Sequence, residues 1–155
     1  RGVHKRTSEI NRITVGCTGI RRSTGQHPGG IIVLPIGQDI KADFEPLKIG
    51  KGYDHCWVID GHEAGQIQFC CELYAPESGR VMEMYTTQPG VQVYTGNFLT
   101  GEVPGKHGIM YPKRASVCIE TQLYPNSPNM PEWPSATLRP GETYTHRCIY
   151  KFSVK

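Results

Sequence analysis

Residues Ala115–Gln122 read A-S-V-C-I-E-T-Q. Val117, Ile119 and Thr121 alternate with Ser116, Cys118, Glu120 and Gln122, which is the period of a β-strand. Successive strand side chains point to opposite faces. One face is therefore small and apolar and suits a core. The other holds a carboxylate and an amide side by side. Glutamate is a poor strand former, and a buried carboxylate needs hydrogen-bond partners. This face is either plain solvent surface or a rigid mount for a functional base at Glu120.

Working outward, the chain keeps this character. Upstream, Gly96–Pro112 is a long loop, and Val91–Thr95 is a strand that resumes after the break at Pro89–Gly90. Gln66–Tyr74 and Arg80–Thr87 flank the turn Ala75–Gly79 as a hairpin. The adjacent Cys70 and Cys71 should then point to opposite faces. Asp60–Gly65 is a turn, and Tyr53–Ile59 is a strand that begins polar and becomes apolar. Gly37–Gly50 reads as an extended connector, and Ile31–Ile36 as a short strand cut by Pro35. Downstream, Tyr124–Pro140 is rich in proline and should wrap across a sheet surface. Thr143–Val154 alternates strictly, with Tyr144, His146, Cys148, Tyr150, Phe152 and Val154 on one face. The sum is an all-β chain, an antiparallel β-sandwich.

Composition agrees. The chain has 155 residues, of which 37% are hydrophobic and 20% charged, with 18 Gly and 12 Pro. That suits one soluble, turn-rich domain with a real core. No run approaches the roughly 18 apolar residues of a membrane span. The net charge of +3 is too small and too scattered to imply nucleic acid. Basic pairs such as Arg21–Arg22 and Lys113–Arg114 read as solvated surface. Six cysteines form no C-x-x-C, and no histidine has zinc-finger spacing from them, so no metal is implied. With no N-x-S/T sequon, they read as reduced thiols in a cytoplasmic setting.

Residues 1–30 read as a loop-rich leader, with one short strand at Ile10–Val15 and loop from Gly16 to Gly30. Gly25 and Gly29–Gly30 suggest a phosphate loop only weakly, because no G-K-[ST] follows. The first residue is Arg1 rather than Met. The chain accordingly reads as processed, expressed as a piece, or taken from an incomplete gene model. The domain proper is assigned to residues 31–155.

Three groups of residues carry a resemblance. They are Gly52-Tyr-Asp-His55, then Tyr85-Thr-Thr-Gln-Pro-Gly-Val-Gln-Val-Tyr-Thr-Gly-Asn-Phe98, then Ile119-Glu-Thr-Gln122. With Pro125-Asn126, Leu138-Arg-Pro-Gly-Glu142 and Tyr150-Lys-Phe-Ser153, they resemble the galactose mutarotases, or aldose 1-epimerases. The match runs from about Leu34 to Lys155 and covers the carboxy-terminal half of that family's pattern. It implies a β-supersandwich with a hexose on its concave face. It also implies interconversion of the α and β anomers of a free aldose such as galactose or glucose, with no cofactor. In the family a glutamate takes the proton of the anomeric hydroxyl, and a histidine gives one to the ring oxygen. Position by position, Glu120 matches the base. Asp54 matches an aspartate that binds sugar hydroxyls, and Gln92 a glutamine that contacts the sugar. Tyr53, Trp57 and Tyr94 are aromatics that could offer a ring face or pack in the core.

The pattern also departs from the family. Members are about twice this length, and their proton-donating histidine belongs to the first half. His4, His27, His55, His62, His107 and His146 do not fall where the family places that acid. The expectation is a mutarotase chain that keeps the base and lacks the acid half of the site. The alternative is a non-catalytic or vestigial sugar-binding β-sandwich, and a third reading is an interaction module with no sugar role. An incomplete sandwich leaves open sheet edges, so self-association is expected.

Overall fold

The computed structural model describes residues 14–18 and 31–155. The rest of the leader, with the Gly25 and Gly29–Gly30 loop and both His4 and His27, lies outside the described residues. Strand β1 spans Thr14–Thr18 and β2 spans Ile31–Pro35. The leader strand predicted to stop at Val15 therefore runs on through residues read as loop. Then come β3 (Asp54–Val58), β4 (Gln68–Ala75), β5 (Arg80–Thr86), β6 (Gly90–Tyr94), β7 (Cys118–Gln122) and β8 (Cys148–Val154).

Two antiparallel sheets result. One has five strands in the order β2-β1-β4-β5-β8, and the other has three in the order β3-β6-β7. Their facing surfaces make the core. Cys71 and Met84 on the larger sheet meet Ile59, Val91 and Ile119 on the smaller one, with Trp57, Leu73, Met82, Val117 and Cys148 at the margin. Ile59 and Met84 are 2% and 0% exposed. Full burial of such a side chain contributes about 1.5–3 kcal/mol. The chain is the all-β sandwich that the alternation predicts.

Some expectations need correction. Gly37–Gly50 is not extended throughout, because it holds two single-turn helices, α1 (Ile36–Asp39) and α2 (Glu45–Ile49). In α2, Pro46 sits in the first turn where its missing N–H costs nothing, and Leu47 is buried beneath it. Cys70 and Cys71 are both buried in the core cluster rather than split between faces. A register shift between Phe69 and Cys71 explains this, since a β-bulge inserts one unpaired residue and resets the alternation. The last strand begins at Cys148 rather than Thr143.

The larger sheet overhangs the smaller one. Met84 pairs with Tyr150 and Met82 with Phe152, so these β8 side chains share the core-facing side of the sheet. Yet Phe152 and Val154 are 73% and 74% exposed. Among the described residues, β8 pairs on one side only.

Candidate active site

The outward face of the three-stranded sheet carries the polar residues. Cys56 stands opposite Gln92 in the β3–β6 register, and Gln92 opposite Glu120 in the β6–β7 register. Directly paired residues project to the same side. Cys56, Gln92 and Glu120 therefore form one rung across the sheet, and Asp54, Tyr94 and Cys118 form the next. The alternate residues Trp57, Val91 and Ile119 pack into the core. Ile119 is buried while Glu120 is exposed, which is the division of faces that the strand pattern predicts.

Asp54, Gln92 and Glu120 line one open cleft of about 500 Å³, together with Tyr94, Phe98, Gln122 and Pro125. Gln92 donates from Nε2 to Oδ1 of Asp54 at 2.7 Å. Its Oε1 is enclosed with no hydrogen-bond partner, and a buried acceptor left in that state costs free energy until a donor arrives. Among the described residues two carboxylates and no lysine or arginine line the cleft, so this lining favours hydroxyl donors and disfavours anions. Burial pushes the Cys56 thiol up from its ordinary value, with the Gln122 amide acting in the opposite direction.

The motif residues that do not line the cleft hold it in shape. Gly90 has no side chain because the Tyr124 ring lies over it, where a Cβ would stand 3.0 Å from ring carbon Cδ1. Tyr124 donates its hydroxyl to the Pro89 carbonyl at 3.2 Å and packs edge-on against Trp133. The Pro-rich segment thus walls the cleft. The turn that delivers Asp54 is clamped from the Thr95–Phe98 side. Asn97 donates Nδ2 to the carbonyls of Gly50 and Tyr53 at 2.7 and 2.8 Å. Thr95 Oγ1 accepts from the Tyr53 N–H at 3.1 Å. Arg114 stays exposed, as the basic pair predicts, and also donates to Asn97 Oδ1, the Lys51 carbonyl and Thr95 Oγ1. Gly52, at φ +142°, passes so close that a Cβ would stand 2.3 Å from that guanidinium.

The three residues expected to form the site come together, and so does Tyr94. Trp57 turns to the core instead, and Tyr53 is not among the lining residues. Sequence reasoning passed over Phe98 as a cleft residue. Its signal was its place at the end of the T-G-N-F run, one residue beyond the buried Asn97. Among the described residues none that line the cleft is a histidine. His55 alternates with Asp54 and so points to the other side of β3. Its Nδ1 accepts from the Asp54 N–H at 2.9 Å. Among the described residues no helix is long and apolar enough to cross a membrane.

Comparisons with known proteins match much of the chain. A sequence model of the family described as aldose 1-epimerase matches residues 33–151. Galactose mutarotase from Mus musculus is 50% identical over 103 residues, covering 66% of this chain and 30% of the mouse protein. The Homo sapiens protein of that name is 46% identical over 118 residues, covering 71% and 34%. The aldose 1-epimerase of Escherichia coli is 34% identical over 119 residues, covering 76% and 34%. The chain thus spans about a third of the length of the curated relatives it matches. Among solved structures, a GalM/aldose epimerase homologue from C. elegans shares the fold, with a TM-score of 0.62 at 21% identity, over 94% of this chain and 46% of that one.

Proposed function

The chain belongs to the aldose 1-epimerase family, and from that premise we propose that it carries the base-bearing part of a mutarotase site for a free hexose such as galactose or glucose. Residues 31–155 are read as the carboxy-terminal portion of that domain. The observation that carries the proposal is the convergence of Glu120, Gln92 and Asp54 on one cleft.

The chemistry is an acid–base ring opening. The Glu120 carboxylate takes the proton of the anomeric hydroxyl as the bond from C1 to the ring oxygen breaks. The ring oxygen takes a proton from water or from a donor outside the described lining residues, and C1 becomes an aldehyde. Rotation about C1–C2 and reclosure then give the other anomer. A strand mount holds the base within hydrogen-bond reach, as proton transfer requires. Asp54 accepts from sugar hydroxyls, and the Gln92 amide beside it lines the same cleft. No cofactor takes part. The free thiols of Cys56, Cys118 and Cys148 support a reducing, cytoplasmic setting.

Among the described residues no histidine lines the cleft, and a second reading is a sugar-binding chain that does not turn over by itself. Following α-D-galactose equilibration by NMR in the presence of the 155-residue chain separates the two. The expected result is slow or absent catalysis, because a missing proton donor costs on the order of 10²–10⁴-fold. Equilibration at enzyme rates that survives Glu120→Gln would remove Glu120 from the role of base.

A further inference from the structure

The cleft has a second kind of surface that the polar floor does not explain. Phe98 stands at its lip, 56% exposed, and lines the same space as Asp54, Gln92 and Glu120. Its backbone is held on two sides. The preceding Asn97 is 3% exposed and tied into the turn at Gly50–Tyr53. The Phe98 N–H itself donates to the Tyr94 hydroxyl at 3.0 Å. The Lys51 ammonium stands 5.7 Å from the ring centroid. The ring is therefore an exposed apolar plate on a fixed mount that lines the cleft, with the Lys51 ammonium over one face.

A pyranose has matching surfaces, with hydroxyls around its rim and C–H bonds on its faces. A floor that accepts hydroxyls and a lip that offers a π-face take both at once. The C–H faces differ between sugars. With the C4 hydroxyl axial, the C–H bonds at C3, C4 and C5 gather on one side, whereas an equatorial C4 hydroxyl disperses them. We propose that Phe98 stacks on the C–H face of the bound hexose and is a specificity-determining residue that favours the galacto over the gluco configuration. This rests on the site reading above.

Methyl β-D-galactopyranoside and methyl β-D-glucopyranoside cannot mutarotate, so they report binding alone. Each is titrated into the 155-residue chain and followed by NMR. With the unaltered chain, the galactoside H3–H5 signals should move upfield in the ring current. Phe98→Leu should abolish that movement and weaken galactoside binding by about three- to tenfold, with little change for the glucoside. Phe98→Tyr should restore both. Unchanged galactoside affinity and unchanged upfield shifts in Phe98→Leu, with binding lost in Asp54→Ala, would overturn the role of Phe98 and leave the site intact. Failure of both glycosides to bind the unaltered chain would overturn the site reading, and this inference with it.

Discussion

Gln92 and Asp54 are joined amide to carboxylate at 2.7 Å across the β3–β6 pair. The bond commits the amide: Nε2 donates to Asp54, and Oε1 is enclosed with no hydrogen-bond partner. The two side chains should therefore act as one unit. Asp54→Ala and Gln92→Ala should each weaken methyl galactoside binding, and the double variant should be little worse than the poorer single one. A coupling of about 0.5–3 kcal/mol is expected for residues in direct contact. Calorimetric titration of the four proteins measures it.

The clamp behind Asp54 gives a stability prediction. Gly52→Ala drives a methyl group into the Arg114 guanidinium at a positive φ and should destabilise the chain by about 1–3 kcal/mol. Arg114→Ala should itself cost about 1 kcal/mol, because the buried Asn97 and Thr95 lose hydrogen bonds from the exposed guanidinium but keep each other. In the Arg114→Ala background, Gly52→Ala should cost less than it does alone. Urea unfolding of the set measures each effect.

The overhang of the five-stranded sheet predicts association. Phe152 and Val154 are open on the core-facing side of a strand with an unpaired edge among the described residues, and such surfaces recruit other chains. The purified 155-residue chain should elute as dimers or larger species in size-exclusion chromatography with light scattering. Phe152→Lys with Val154→Thr should shift it toward monomer.

A pH effect follows from His62. Burial holds its imidazole below the ordinary value, while its Nδ1 lies 3.1 Å from Gln68 Nε2. A group with a depressed folded pKa binds its proton more readily in the unfolded chain. Its stabilisation is present above the unfolded value of about 6.5 and is lost as pH falls through the folded value. Urea midpoints should fall between pH 7.5 and pH 5 by about the same amount in other variants, but less in His62→Gln.

Much of the site was legible because it lies on strands. Alternation at Ala115–Gln122 separates Ile119 from Glu120 with no knowledge of the partner strand. The resemblance added Asp54 and Gln92, which are otherwise ordinary turn and surface residues. What stayed hidden depends on contacts between distant segments. Arg114 is surface, as its sequence suggests, but its hydrogen bonds to Asn97 and Lys51 depend on distant segments. The bulge at Cys70 is set by pairing with β5. The helices α1 and α2 are one turn each, too short to show a period. Tyr144–Arg147 alternates like a strand but is bound piecemeal, with Tyr144 accepting from Gln88, His146 bonded to Thr121, and the Arg147 N–H donating to Thr87.

The rung Cys56–Gln92–Glu120 backs directly onto Trp57, Val91 and Ile119, one residue along each strand. Two selective regimes are thus interleaved at single-residue spacing. Asp54, Gln92, Tyr94, Glu120 and Gln122 on these strands answer to whatever enters the cleft, and Trp57, Val91 and Ile119 answer to the fold. New ligand preferences can therefore be explored by drift at every second residue without loosening the core. The insertion of a single residue inside any of these strands would exchange the two roles and forfeit both.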